Sequence, residues 1–209
     1  MRRLALVLGA LGTAAAPARA DLQRLSLSHI QITQGSLQEL GGGRFLVATD
    51  RLRAVVRTPG QRQVELRFTY LGPTPQSTPL ESGQLRRQIG LKLLAQDPCN
   101  VLYVMWRIEP EARLSVQLKR NPGLRRSALC RAGGYETLQP HRARDVPAPL
   151  PGSQHTLRAE LDDHVLRVLA DGMPVWEGRL DSRRLPPQGP AGLRSDNGRF
   201  EIEWLVDRR

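Results

Sequence analysis

Aromatic side chains and long apolar runs are scarce in this sequence. Phe, Trp and Tyr make up 4% of the 209 residues, which argues against a module that stacks neutral sugars on several exposed rings. No apolar run reaches the roughly 20 residues that a membrane-spanning helix needs. No window shows a sustained 3.6-residue hydrophobic period, so neither long helices nor an amphipathic membrane helix is expected.

Positive charge is abundant, and nearly all of it is arginine. The formal net charge is +11, and of the 31 basic side chains only Lys92 and Lys119 are lysines. The basic residues alternate with acidic ones and form neither a tail nor a recognition motif, so nucleic acid is not an expected partner. With 19 Gly and 16 Pro, many turns connect a core built from Leu, Val and Ile.

The N-terminus has the pattern of a signal peptide. Two arginines precede an apolar run over residues 4–16, and Ala18-Arg19-Ala20 supplies a small-x-small cleavage site. We expect cleavage after Ala20 and export to the periplasm or the exterior, which leaves residues 21–209 as one domain. The alternative is a retained anchor, for which the run is short.

Cys99 and Cys130 are the only cysteines. In an exported protein this pair predicts a structural disulfide. Two free thiols are the alternative. A metal site would need further ligands, and the four histidines show no suitable spacing with the cysteines. We therefore predict neither a metal nor another cofactor.

Period-2 alternation of apolar and polar residues recurs along the chain, as in half-buried strands. Ten or more strands with no helix to cover a face predict an all-β fold of two packed antiparallel sheets, or a closed barrel. Gly41-Gly42-Gly43 and Asp171-Gly172 are among the turn signals. The clearest strands are 63–70, 102–108, 114–118, 157–161 and 200–206, with others near 25–32, 45–57, 85–94, 164–170 and 174–180.

The segment from His155 to Val206 resembles the C-terminal half of a concanavalin A-like lectin/glucanase domain, the laminin-G-like jelly roll. It is also similar to the domain assigned to 3-keto-disaccharide hydrolases. The resemblance lies in the order of its parts: strand Thr156 to Leu161, strand Val165 to Gly172, return strand Pro174 to Gly178, Gly192-Leu193-Arg194, and last strand Arg199 to Val206. It implies a jelly-roll sandwich, a fold that houses both enzymes and binding proteins, so the site must decide the function.

The catalytic motifs of such folds are incomplete here. Glu201 and Glu203 share a strand face, but the third carboxylate of the glucanase pattern is absent. Arg86-Arg87-Gln88 resembles the arginine-rich strand of jelly-roll polysaccharide lyases without the histidine that would move protons. No Gly-x-Ser-x-Gly elbow occurs. Asp171 and Asp196 are conceivable calcium ligands in loops, although plain turns explain both.

A basic face is the strongest candidate for a binding site. If Leu102, Val104, Trp106 and Ile108 point inward, their neighbours point outward and align with polar residues of adjacent strands. Such a face would attract carboxylates or sulfates, which Arg can bind in a bidentate manner. The alternative is an ordinary solvated sheet face. The predicted ligand-binding residues are Arg86, Gln88, Lys92, Tyr103, Arg107, Arg113, Gln117 and Lys119.

These observations predict an exported, non-catalytic β-sandwich that binds an anionic envelope or extracellular polysaccharide. The alternatives are a glycoside hydrolase or polysaccharide lyase of the same fold, and a structural or protein-interaction module of the cell envelope.

Overall fold

The computed structural model describes residues 21–208, so the predicted signal peptide lies outside the described residues. No helix within this range is long and apolar enough to cross a membrane. The range contains a 3-10 helix (Leu27–His29), a one-turn helix α1 (Ser127–Cys130) and sixteen strands. In chain order the strands are β1 (Leu22–Arg24), β2 (Ile30–Gln34), β3 (Gln38–Gly41), β4 (Arg44–Val47), β5 (Arg51–Val56), β6 (Gln63–Pro73), β7 (Arg87–Asp97), β8 (Asn100–Glu109), β9 (Arg113–Lys119), β10 (Tyr135–Thr137), β11 (Arg142–Ala143), β12 (Gln154–Asp162), β13 (Val165–Ala170), β14 (Met173–Arg179), β15 (Gly192–Asp196) and β16 (Gly198–Asp207).

Two antiparallel sheets face each other. The first sheet has the strand order β11-β14-β13-β12-β6-β16-β4-β3, with β1 paired to the end of β16. The second has the order β10-β9-β8-β7-β15-β5-β2. Strands distant in sequence are neighbours in both sheets, so pairs such as β7 and β15 bring side chains together from separate parts of the chain.

The core lies between the sheets and is built from the alternate residues of each strand. Trp106 from the second sheet packs edge-on against Phe68 from the first, with ring centroids 5.6 Å apart. Trp106 and Trp204 are fully buried, and Trp176 is buried as well. Burial of this apolar surface is the main force that holds the sandwich together.

The all-β sandwich is therefore confirmed, and so is the order of strands from 156 to 206, which appear as β12 to β16. Two predicted strands differ from the structure in their bounds. The range 25–32 contains the 3-10 helix, because the Ser26 backbone N–H and the Ser26 hydroxyl both lie within hydrogen-bond distance of His29 Nδ1, at 3.2 and 2.8 Å. The range 45–57 is two strands, and β4 and β5 lie in different sheets.

The disulfide prediction is confirmed. Cys99 and Cys130 are bonded, with Cα atoms 5.8 Å apart. The bond joins the turn between β7 and β8 to α1, in the connection between β9 and β10. It therefore fixes that connection at one end of the second sheet.

Candidate functional site

The outer face of the second sheet, which points away from the core, forms a concave surface. A cavity of about 730 Å³ lies over strands β5, β15, β7, β8 and β9. We call it the basic cavity, because seven basic side chains line it against two acidic ones. The basic residues are Arg51, Arg53, Arg86, Lys92, Lys119, Arg131 and Arg194, and the acidic ones are Glu81 and Asp97.

Two glycines deepen the floor of the basic cavity. A Cβ atom at Gly192 would lie 2.7 Å from Lys92 Cδ, and one at Gly90 would lie 2.2 Å from the Val104 carbonyl oxygen and 2.8 Å from Met105 Sδ. Real Cβ atoms do not approach so closely. Glycine at these positions therefore allows Lys92 and Met105 to lie flat across the sheet.

A buried carboxylate holds two of the arginines. Asp196 is fully buried, and it bonds Arg53 Nη2 at 2.5 Å, Arg194 Nε at 2.9 Å and Gln88 Nε2 at 2.7 Å. Burial alone would raise the pKa of the Asp196 carboxyl, but the charges of Arg194 and Arg53 outweigh it and lower the pKa to about 2. One anion thus holds two guanidinium groups in fixed positions, and the cavity keeps an excess of positive charge.

Two stacked tyrosines form an aromatic wall. Tyr103 and Tyr135 lie with ring centroids 6.0 Å apart, and the Arg194 guanidinium lies 5.1 Å from the Tyr103 ring centroid. Burial raises the pKa of Tyr103 to about 12, with Tyr135 acting in the same direction. The Tyr103 hydroxyl is therefore neutral at ordinary pH and is a hydrogen-bond donor rather than a base.

Two loops form the sides of the cavity, and both are anchored. The loop before β7 is held by Asn197, whose Nδ2 donates to the backbone oxygens of Thr78 (3.0 Å) and Arg86 (2.9 Å). The connection that contains α1 is held by the disulfide and by Lys119 Nζ, which donates to the Arg131 carbonyl at 2.8 Å. The concave shape therefore depends on fixed loops as well as on the sheet.

Six of the eight sequence-predicted binding residues line the basic cavity: Arg86, Gln88, Lys92, Tyr103, Gln117 and Lys119. Five of them lie on the neighbouring strands β7, β8 and β9, as the alternation predicted, and Arg86 immediately precedes β7. The face is more buried than an ordinary solvated sheet surface, since Gln88, Lys92, Tyr103 and Lys119 are at most 7% exposed. Their role in binding stays a prediction.

Arg107 and Arg113 lie next to the cavity and do not line it. Arg107 of β8 lies opposite Arg113 of β9 in the strand register, and on its other side it lies opposite Gln88 of β7. Burial, with the charges of Arg86 and Arg113, lowers the pKa of Arg107 to about 10. Arg107 Nε is buried without a hydrogen-bond partner in the described chain. These two residues extend the positive potential beyond the cavity.

Sequence reasoning missed Arg53, Tyr135 and Arg194, and it placed Asp196 in a turn. Asp196 is instead the last residue of β15 and is completely buried. Arg53 and Arg194 are paired on β5 and β15, so only the long-range strand order brings them beside Lys92. One pattern in the sequence could have identified Arg194 as a cavity residue. Leu193 and Ser195 face the core, so the residue between them on the strand must face outward.

The acidic pair Glu201 and Glu203 lies elsewhere, on β16 of the first sheet. Glu203 is paired with Arg24 Nη2 at 2.8 Å and lies 3.7 Å from Arg67 Nη1. Glu203 is therefore held by two arginines on the outer face of the first sheet, the sheet that does not carry the basic cavity. Within residues 21–208, no three His, Cys, Asp or Glu side chains are grouped as a metal site would need.

A hydrogen-bond chain of Ser, His and Asp is present, although no sequence motif predicted it. Ser153 Oγ lies 2.9 Å from His155 Nε2, and His155 Nδ1 lies 2.8 Å from Asp171 Oδ2. The same Oγ is 2.6 Å from the Leu150 carbonyl. The N–H groups of Gly152 and Ser153 already donate to backbone oxygens, so neither serves an oxyanion. The chain fastens the 139–153 loop to the β13–β14 turn.

Comparison with known proteins identifies the architecture. No family model matches the sequence, and no curated protein matches it. Among solved structures, the carbohydrate-binding module CBM66 from Bacillus subtilis superposes with a TM-score of 0.57 at 12% identity, over 83% of this chain and 91% of that one. The metal-free carbohydrate recognition domain of Emp46p gives 0.55 at 12% identity, over 87% and 88%. A candidate glycosyl hydrolase from Parabacteroides distasonis gives 0.55 at 14% identity, over 90% and 98%.

The chain shares the two-sheet β-sandwich fold of these structures, which is the fold that the resemblance to concanavalin A-like jelly rolls implied. The resemblance seen in residues 155–206 thus extends over most of the chain. At identities this low the likeness concerns the fold alone, and this jelly roll carries both binding modules and hydrolases. Function must therefore be argued from the basic cavity.

Proposed function

We propose that this protein binds an acidic saccharide chain in the basic cavity, outside the cytoplasm, without catalysing a reaction on it. The observation that carries the proposal is the charge of the cavity, with seven basic and two acidic side chains around about 730 Å³. Fixed guanidinium groups bind carboxylates and sulfates through charge-assisted hydrogen bonds. The carbohydrate-binding names of two structural neighbours support a saccharide as the ligand.

The carboxylates of the cavity support a binding role. Asp97 accepts hydrogen bonds from the Cys99 N–H at 2.8 Å and from Asn100 Nδ2 at 3.0 Å. Asp196, beneath the floor, is committed to two arginines. Glu81 is then the one lining carboxylate without a hydrogen bond in the described chain. The cavity therefore offers no pair of free carboxylates such as a retaining or inverting glycosidase uses.

Titration calorimetry tests the proposal with an oligogalacturonate and a neutral oligogalactose of equal length. We expect the acidic ligand to bind and the neutral one to bind at least about tenfold more weakly. The affinity for the acidic ligand should fall as salt is added. Neutral and acidic ligands binding alike would contradict the proposal. New reducing ends or unsaturated uronate products would instead support the hydrolase or the lyase alternative.

A matched pair of double variants locates the binding. Arg86→Gln with Arg131→Gln removes two charges from the cavity, and Arg142→Gln with Arg179→Gln removes two exposed charges from the first sheet. The cavity variant should weaken acidic binding by about 5- to 30-fold, or about 1 to 2 kcal/mol. The control should change it by less than about twofold, since exposed charges far from the ligand are screened. Equal weakening would place the site elsewhere.

A further inference from the structure

Lys92 has an unusual position on the floor of the basic cavity. Its side chain is 7% exposed and lies across Gly192. In the described chain its amine makes one hydrogen bond, a long one of 3.4 Å to the Ala54 carbonyl, and no ion pair. A buried ammonium normally has several partners or a carboxylate. The Lys92 amine is thus poorly satisfied in its charged form and faces a cavity open to ligands.

The groups around Lys92 disfavour its charge. Arg53 approaches from β5 and Arg194 from β15, and the Asp196 carboxylate is already shared by these two arginines. From β8, the Tyr103 side chain is neutral. Burial, followed by the positive charges of Arg53 and Arg194, lowers the pKa of Lys92 to about 7. Near neutral pH much of the amine is therefore unprotonated, and its lone pair is available.

The second lysine of the chain lines the same cavity in a different environment. Lys119 Nζ donates a 2.8 Å hydrogen bond to the Arg131 carbonyl and lies 5.0 Å from the Tyr135 ring centroid. Lys92 has neither a hydrogen bond this short nor an aromatic ring beneath its amine in the described chain. With 3% exposure, Lys119 is also slightly more buried than Lys92. It serves as an internal control for chemistry at an amine.

We propose that Lys92 is a nucleophile that forms a reversible imine with the carbonyl carbon of an anionic aldehyde or ketone. The Nζ lone pair attacks the carbonyl carbon and forms the C–N bond. The carbonyl oxygen leaves as water. In the net reaction, the two hydrogens of that water are those of the neutral amine, and a C=N bond replaces the C=O bond. Arg53 and Arg194 attract the ligand's carboxylate, sulfate or phosphate and hold it beside the amine. Desolvation next to other cations is a recognised way to activate a lysine. An acidic sugar in its open-chain form belongs to this ligand class. Only the choice of a sugar as the ligand rests on the proposed function.

Reductive labelling of the full chain tests the proposal. Pyridoxal 5′-phosphate, an anionic aldehyde, is added with cyanoborohydride, whose hydride reduces the imine to a stable secondary amine. Peptide mass mapping then separates Lys92, Lys119 and the α-amine. We expect the label at Lys92 to exceed that at Lys119 by about tenfold or more. Pyridoxal without the phosphate should label Lys92 several-fold more slowly, because it lacks the anion that the arginines attract.

Two controls connect the result to the folded cavity. In concentrated guanidinium chloride the two lysines should label equally, because the fold alone distinguishes them. The Arg142→Gln, Arg179→Gln variant, changed only on the first sheet, should leave the labelling of Lys92 in place. Equal labelling of the two lysines in the folded protein, or less at Lys92, would overturn the proposal. Labelling of Lys92 by pyridoxal phosphate without binding of oligogalacturonate would instead reject the saccharide and retain the reactive lysine.

Discussion

Replacement of Lys92 by methionine should make the protein more stable, by an amount that depends on pH. The folded-state pKa is about 7, whereas a lysine in an unfolded chain has a pKa of about 10.4. Between these values the unfolded state binds the proton and the folded state does not. The free energy of unfolding of the wild type, relative to the variant, therefore rises with pH across this window.

The shift corresponds to on the order of 4 to 5 kcal/mol. The variant should have its full advantage at pH 7 and below, and the advantage should shrink by about 1.4 kcal/mol per pH unit up to about pH 10. Guanidinium unfolding of both proteins at several pH values measures this difference, in which the titration of all other groups largely cancels. A stability difference that does not change with pH would refute the account of Lys92. As a comparison, Lys119→Met should lower stability by about 1 to 3 kcal/mol, because it removes the hydrogen bond to the Arg131 carbonyl.

Two further predictions concern the supports of the cavity. Asp196→Asn should lower the free energy of unfolding at pH 7 by about 3 to 5 kcal/mol, because it leaves Arg53 and Arg194 without their anion. In the wild type, the contribution of the Asp196 carboxylate to the free energy of unfolding should be fully present above about pH 4. It should be lost as the pH falls through about 2, the folded-state pKa of this group. Unchanged stability in urea titrations of this variant would contradict the ion cluster. The double replacement Cys99→Ser and Cys130→Ser should lower the free energy of unfolding by roughly 3.5 to 4 kcal/mol, because the unfolded chain is no longer constrained by the loop. It should also weaken oligogalacturonate binding measured by calorimetry, since the cavity wall that carries Arg131 is no longer fixed. Full affinity in the folded variant would show that this wall is not part of the site.

Much of the fold could be predicted because the core imposes a period of two on any strand with one buried face. Strand β6 shows this pattern along most of its length. Strand β3 was missed because all four of its residues are exposed, so no apolar alternation marks it. The break between β4 and β5 was missed because apolar residues continue on both sides of the crossing from one sheet to the other.

The candidate site could be predicted only where it depends on parity within a strand. Parity placed Gln88, Lys92 and Tyr103 on one face, and the structure agrees. Arg53 and Arg194 could be placed beside Lys92 only by knowing the order of strands in the sheet. The alternation of residues within a strand does not give that order. The depth of the cavity required loops that are held by Asn197 and by the disulfide. These are long-range contacts, and local sequence patterns carry little information about them.

The most direct test of the account is to map where an acidic oligosaccharide touches the protein, by NMR titration of backbone amide shifts with oligogalacturonate. The account predicts saturable shifts confined to amides around the basic cavity, including those of Lys92, Tyr103 and Arg194, with neutral oligogalactose producing few or none. Shifts centred on the outer face of the first sheet, around Glu201 and Glu203, or no saturable shifts at all, would contradict it.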